Sequence, residues 1–383
     1  MPQVAIVGGG LVGANIAYRL LRHGAQVTVF DTATAGQATA AGAGILPPLD
    51  HFIGVEAVLP LLREARRYYP ELIADLAEDG ETDTGYEVAG ALQVATTEAE
   101  CEQLAELARE AAFRREAGFP HIGTLTELDG AGAQRHFPLL GPGVLRALHA
   151  ADAARVDARR LLAALRRAIA QRGGRWEQGH AEPFLTRDRV AGVRSGEFNF
   201  GADAVVIAAG AWSASIAGRL GLDVQVRPQR GQLVHLDLAD TLTGHWPTVL
   251  GFSTSYLLCF APHRVVAGAT REDAPGYEAI VTAGGVHGVL AAALRLAPGL
   301  ARATLREVRV GFRPVSADGK PVLGVSPSHS NLYFATGHGG YGLEVGPYSG
   351  ALIADAIVGA PLAVDLSPFA VGRFATTAAP RSG

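Results

Sequence analysis

Apolar positions fall into distinct patterns along this chain. Val4–Val7, Gln26–Phe30, Ala204–Ala208 and Leu332–Ala335 are short, largely apolar runs bounded by turn residues, which predicts strands buried on both faces, as in a parallel sheet. Leu11–Arg22 and Val55–Leu76 read as helices, the second presenting Leu61, Leu62, Ala65, Tyr68, Tyr69 and Leu72 towards a core. Leu161, Leu162, Leu165 and Ile169 recur at a helical period up to Gly173 and Gly174, with Asp157 placed to cap. Residues 222–308 instead alternate apolar and polar positions between turn-forming gaps, the pattern of a mixed or antiparallel sheet with one buried face, crossed by a helix over 282–297. Strand character over Tyr86–Thr96, a charged helix over 97–118, a short helix near Asp129–His136 and a meander over 181–200 complete the series.

Glycines give the first run a purpose. Gly8, Gly10 and Gly13 stand between the first strand and its helix, and Asp31 closes the second strand. In that setting Gly8 makes the tight turn, Gly10 lets a pyrophosphate approach the backbone, Gly13 lets helix and strand pack closely, and Asp31 takes ribose hydroxyls. A second run of small residues follows, in which Thr39, Ala40, Gly42 and Gly44 have no bulk to keep backbone away from a ligand. Thr39 is placed to cap a helix in this run or to give its hydroxyl to a phosphate. Two glycine-rich approaches in succession favour a larger, buried dinucleotide such as FAD over a nicotinamide cofactor.

The chain returns to the same place twice more. The strand 204–208 ends in Ala209, Gly210 and Trp212 at the carboxyl edge of the sheet, where ligands bind in such folds. The strand 332–335 runs into His338, Gly339, Gly340, Tyr341, Gly342 and Leu343, followed by a helix from about Gly346 to Val358. Backbone donors at that helix start are aimed where negative charge would grow on a reduced flavin. Pro183, in the first strand of the meander, joins this cofactor-binding set. The fold class is therefore α/β: a Rossmann-type FAD-binding domain interleaved with a mixed or antiparallel-sheet substrate domain. The expected division is 1–83, 146–221 and 309–370 for the first, 84–145 and 222–308 for the second, and a tail over 371–383.

Composition narrows the chemistry. Lys+Arg 33 against Asp+Glu 37 gives a net charge of −4, so no global field attracts nucleic acid. The two cysteines, Cys101 and Cys259, lie far apart and form neither a metal pattern nor a redox pair. A core strand begins within a few residues of Met1, which leaves no room for a signal peptide and predicts a cytoplasmic protein, peripheral membrane association being left open. Arg313, braced by Pro314 where the two domains join, is a fork of donors suited to a carboxylate, or else an interdomain salt bridge. His51, leaving the small-residue run, is either a surface loop residue or a substrate-side one.

Taken together, the dinucleotide turn, ATAAGAG, the Arg230–Gln232 triplet, VVAGATRED at 265–273, the run from Arg313 to Gly324 and the Gly337–Gly342 loop resemble the flavin-dependent D-amino acid oxidase family. The similar branch contains glycine oxidase, sarcosine oxidase-like enzymes and bacterial D-amino acid dehydrogenases. The resemblance implies that Arg313 grips a substrate carboxylate. In related oxidases a tyrosine precedes the proline of the strand before GAT by three residues. Here Cys259 stands there and Tyr256 is the nearest tyrosine, on the opposite strand face if alternation holds. No cysteine accompanies Arg313, unlike the sarcosine-oxidase branch, which implies non-covalent FAD.

The activity so implied is oxidative deamination of a small D- or achiral amino acid such as glycine, D-alanine or D-proline. Hydride would pass from the alpha carbon to flavin N5, and an imine would hydrolyse to a 2-oxo acid. Arg313 orients the substrate, with Tyr256 and His51 as further candidates, and the amides around Gly340 face the developing charge. Oxygen or a quinone would reoxidise the cofactor, and a homo-oligomer is compatible with the chain. The alternatives are a dehydrogenase of a cyclic or N-methylated amino acid or of a 2-hydroxy acid, and a non-catalytic nucleotide-binding protein. A small-residue pocket favours a small substrate, since a large charged one would leave polar groups unmatched.

Overall fold

The structure is a computed structural model that describes residues 1–47, 56–116, 125–187, 189–252, 255–273 and 276–374. Its organising element is a six-stranded sheet in the order Val322–Val325, Leu332–Thr336, Ala204–Ile207, Gln3–Val7, Gln26–Asp31 and Arg175–Gln178. All neighbours run parallel except the first pair. The apolar runs are buried on both faces as expected: one face carries the helices Leu11–Arg22, Leu59–Glu78, Ala158–Gln171 and Gly342–Val358. The other is covered by a three-stranded antiparallel meander, Ala181–Thr186, Arg189–Ser195 and Phe198–Gly201.

A second, eight-stranded sheet has the order Thr304–Ser316, Val226–Asp237, Arg264–Gly268, Tyr256–Phe260, Thr248–Leu250, Ala91–Ala95, Arg146–Ala150 and Leu125–Asp129. It is antiparallel apart from the pairing of Thr248–Leu250 with Ala91–Ala95. Helix Ala283–Leu296 closes one face, its first turn capped by the Thr282 hydroxyl accepting from the Gly285 amide. Strand alternation is strict where it matters. Leu257 and Cys259 enter the core under that helix, whereas Tyr256, Leu258 and Phe260 face Ala41, Ala43 and Ile45 of the small-residue run.

Three details depart from the sequence reading. Strand Arg146–Ala150 pairs on both sides within the eight-stranded sheet, and Thr304–Ser316 continues its ladder with Val226–Asp237 well past residue 309. These segments therefore belong structurally with the substrate-side sheet. Val371–Phe374 is no free tail, because Val371 is buried and Arg373 forks onto both oxygens of Asp318. The last helix starts at Gly342, four residues earlier than expected, and carries Pro347 inside it. A proline lacks the N–H that would bond to the carbonyl four residues back, here Leu343, and the hydroxyl of Tyr69 donates to that carbonyl instead.

Candidate active site

The two sheets meet along a single long cleft of about 850 Å³, whose walls come from all of the glycine-rich returns. Gly8 sits at φ +110°, and a methyl there would stand 2.3 Å from the Ala208 carbonyl oxygen. Gly13 does not line the cleft; its missing side chain lets the helix rest on the Gly8 carbonyl, which a methyl would meet at 1.9 Å. Gly10 opens the helix with no capping side chain of its own, and Leu11 N–H donates to Thr39 Oγ1 at 3.0 Å. Thr39 is thus not the cap of its own short helix, Ala38–Ala41, but a cap supplied to the dinucleotide-turn helix. Asp31 takes the Gly9 amide on Oδ2 at 2.6 Å, and on Oδ1 the Ala33 amide at 2.7 Å and the Gln37 side-chain amide at 2.8 Å. These bonds fix the carboxylate, which lines the cleft wall beside Thr32 and Thr34.

Gly42, Gly44, Ala209, Gly210 and Trp212 line the middle of the cleft. The Thr336 hydroxyl donates to the Gly210 carbonyl at 2.8 Å, tying the second return to the third. Trp212 stacks with Tyr277, ring centroids 5.3 Å apart, and Phe312 meets both edge-on. The third return, His338–Leu343, forms a 3₁₀ turn leading into the helix and lines the cleft throughout. Gly339 and Gly340 have open space where a side chain would stand. His338 is buried, its Nε2 finds no partner among the described residues, and burial pulls its pKa down to about 4, so the ring is neutral.

The guanidinium of Arg313 and the phenol of Tyr256 line the same cleft and lie close to one another. Arg313 donates from Nη1 to the Thr270 carbonyl at 3.1 Å, and no carboxylate pairs with it among the described residues. Burial lowers its pKa, yet a guanidinium stays cationic across the working range. Burial raises the Tyr256 phenol to about 12, with Arg313 and Arg271 pulling the other way, so the hydroxyl remains a donor.

The remaining expected residues lie elsewhere. Ala40 faces away from the cleft, its carbonyl accepting from Arg159 at 2.7 Å, and Pro183 belongs to the meander strand beyond Gly179–Ala181, which do line the wall. His51 lies outside the described residues. Sequence reasoning missed Gly231, Arg271, Phe312 and Glu344, all of which line the cleft. Gly231 was legible only as part of the Arg230–Gln232 triplet. Arg271 was hidden in a charged run that otherwise makes internal ion pairs.

That geometry fits a bound dinucleotide: backbone without side chains at Gly10, Gly210, Gly339 and Gly340, with a fixed carboxylate at Asp31 and the donors Arg313 and Tyr256 on the walls of the same cleft. Residues 3–356 match the FAD dependent oxidoreductase family. The uncharacterized oxidoreductase YurR of Bacillus subtilis is 40% identical over 370 residues, 96% of this chain and 98% of that protein. Glycine oxidase of Geobacillus kaustophilus is 33% identical over 375 residues, 97% of each chain. The crystal structure of iminodiacetate oxidase IdaA from Chelativorans sp. BNC1 superposes with a TM-score of 0.91 at 39% identity, covering 96% of this chain and 98% of that one. The chain belongs to the FAD dependent oxidoreductase family, in its glycine-oxidase-like branch, and is an FAD-dependent oxidoreductase of the kind that acts on CH–NH groups.

Proposed function

We propose that this enzyme oxidises the CH–NH bond of a small D- or achiral amino acid, glycine or an N-substituted glycine among them, to an imine that water converts to a 2-oxo acid. The carrying observation is the half-buried Arg313, paired with no carboxylate among the described residues and lining the same cleft as Tyr256. A carboxylate entering there gains two parallel bonds from a guanidinium and a third donor from the phenol. Iminodiacetate oxidase and glycine oxidase, both similar over nearly their full length, act on substrates of this kind by name.

Bound FAD supplies the two-electron acceptance that the oxidation requires. Gly8, Gly10, Leu11, Asp31, Thr39, Gly42, Gly44, Ala209–Trp212 and His338–Leu343 would hold it. The chain's own contribution is orientation and exclusion of water. Arg313 and Tyr256 fix the carboxylate and so the direction of the adjacent C–H, and the apolar wall of Leu233 and Ala269 keeps the site dry. The amides of the 339–343 turn, backed by the helix Gly342–Val358, favour negative charge in front of them. No protein base is required, because an amine that has already lost its proton binds reactively. Both cysteines lie away from the cleft walls, which supports non-covalent FAD, with oxygen or a quinone as the final acceptor.

Replacement of Arg313 by Ala tests the reading. In FAD-saturated protein, the substrate concentration for half-maximal anaerobic flavin reduction should rise by the equivalent of roughly 2 to 5 kcal/mol, with FAD binding little changed. Arg313→Lys should recover only part, since an ammonium cannot make the planar two-bond fork. Unchanged half-saturation and rate would remove Arg313 from the active site. Acid precipitation should leave the flavin in the supernatant.

A further inference from the structure

A second guanidinium faces the substrate end of the cleft. Arg271 follows directly on Thr270, whose carbonyl holds Arg313, so the two arginines are presented to one space by adjacent segments. Arg271 lies close enough to raise the cost of the Arg313 charge, as expected of like charges near one another, and both act on the Tyr256 phenol. The acids next to Arg271 in the chain are committed elsewhere. Glu272 accepts both a fork from Arg230 and donors from Gln232 and Thr270, and Asp273 pairs with Arg227. Alternation along this segment sends the Glu272 side chain into that network and leaves the Arg271 side chain on the cleft. Arg271 itself is exposed at the cleft wall and makes no hydrogen bond or ion pair among the described residues.

Three arginines line this cleft, and Arg219 is paired with Glu182 while Glu344 is paired with Arg66, so Arg313 and Arg271 are left facing the same space without a carboxylate among the described residues. A neutral side chain on the substrate would leave Arg271 as a solvated charge facing the ligand. A second carboxylate would meet it, at no cost in polar groups buried inside the cleft.

We propose that Arg271 is a specificity-determining residue that receives a second carboxylate, so that the favoured substrate is a small amine bearing two carboxylates, one on Arg313 and one on Arg271. This rests on the reading of Arg313 given above. The second carboxylate is carried either on the nitrogen substituent, as in iminodiacetate, or on the side chain, as in D-aspartate, and the two are separated by experiment.

The test uses FAD-loaded enzyme and two unreactive ethers that differ only in that group, oxydiacetate and methoxyacetate, with binding followed by calorimetry and by perturbation of the flavin spectrum. Oxydiacetate should bind about tenfold more tightly or better, and in Arg271→Gln the two should bind within about twofold of each other, methoxyacetate being unchanged. Arg271→Lys should keep part of the preference, because it keeps the charge. Equal binding of the two ethers by the parent enzyme, or a preference that survives Arg271→Gln, would overturn the proposal. If methoxyacetate binding is lost in Arg313→Ala, the reading of the first carboxylate stands whatever Arg271 does; if it is not, that reading fails as well. Anaerobic reduction by iminodiacetate against sarcosine, and by D-aspartate against D-alanine, then shows which position carries the second carboxylate. A preference for the monocarboxylate in both pairs would count against Arg271.

Discussion

The guanidinium of Arg313 lies across the backbone of Gly231. A methyl at residue 231 would stand 2.7 Å from Nη1, 2.8 Å from Nη2 and 2.9 Å from Cζ. Gly231 pairs in register with Gly311 on the strand that carries Arg313, and a methyl at 311 would in turn meet Ala41 of the small-residue run at 2.7 Å. The pair of glycines sets the height at which the arginine crosses the sheet. Gly231→Ala should therefore displace the guanidinium by a fraction of an ångström to an ångström and raise half-saturation roughly 10- to 100-fold. FAD content should stay near normal. Stopped-flow reduction of the variant checks this, and unchanged half-saturation would mean that Arg313 tolerates another pose.

Tyr256 gains its place in the same way. Gly268, opposite it in register, leaves room for the ring, and a methyl there would stand 2.4 Å from the phenol oxygen. Because burial holds the phenol protonated, its role is that of a donor to the carboxylate beside Arg313. Tyr256→Phe should weaken binding of unreactive carboxylates by about 1 to 2 kcal/mol, a hydrogen bond to a charged group, and leave the protein's melting temperature almost unchanged. Calorimetric titration with methoxyacetate measures it.

Tyr69 holds the loop that begins the last helix. Its hydroxyl is buried and donates to the Leu343 carbonyl, which Pro347 cannot serve. Tyr69→Phe leaves that carbonyl unpaired and should destabilise the protein by roughly 1 to 3 kcal/mol. The effect should be a lower melting temperature together with faster loss of FAD on dilution, because residues 339–343 form one wall of the cleft. A melting temperature equal to that of the parent would show that water or a shifted helix start satisfies the carbonyl.

His235 provides a pH signature away from the cleft. It is buried on strand Val226–Asp237, and neither ring nitrogen has a hydrogen-bond partner among the described residues. Burial first, then Arg309 with Arg264 and Arg159, pulls its pKa from 6.5 to about 3, Glu307 opposing at 3.9 Å. The unfolded chain therefore binds this proton over a range in which the folded chain does not, so stability is full above pH 6.5 and falls as pH is lowered towards 3. Between pH 7 and pH 5 the loss from this group alone should be about 2 kcal/mol. His235→Leu should remove that slope while leaving neutral-pH stability equal or higher. Denaturant titrations at both pH values decide the point, and an unchanged slope would clear His235 of responsibility.

The sequence by itself determined the nucleotide half. Its signals are local: Gly8, Gly10, Gly13 and Asp31 lie within one strand–helix–strand unit, and the period of apolar residues declares each strand and helix before any distant contact forms. The opposite orientations of Tyr256 and Cys259 were likewise legible, since strand alternation is a property of the backbone. Only the tertiary structure decided the rest, because it depends on which distant segments meet. The helix starts at Gly342 and not at about Gly346, and the donor that Pro347 lacks inside it is replaced by Tyr69 far away in the chain. Thr39 caps a helix in another segment, a relation with no spacing to read. Arg146–Ala150 joins the eight-stranded sheet by pairing with strands on both sides. The separation of Arg271 from its acidic neighbours follows from the partners those neighbours find across the sheet, Arg230 and Arg227, and it leaves Arg271 on the cleft wall without an ion pair among the described residues.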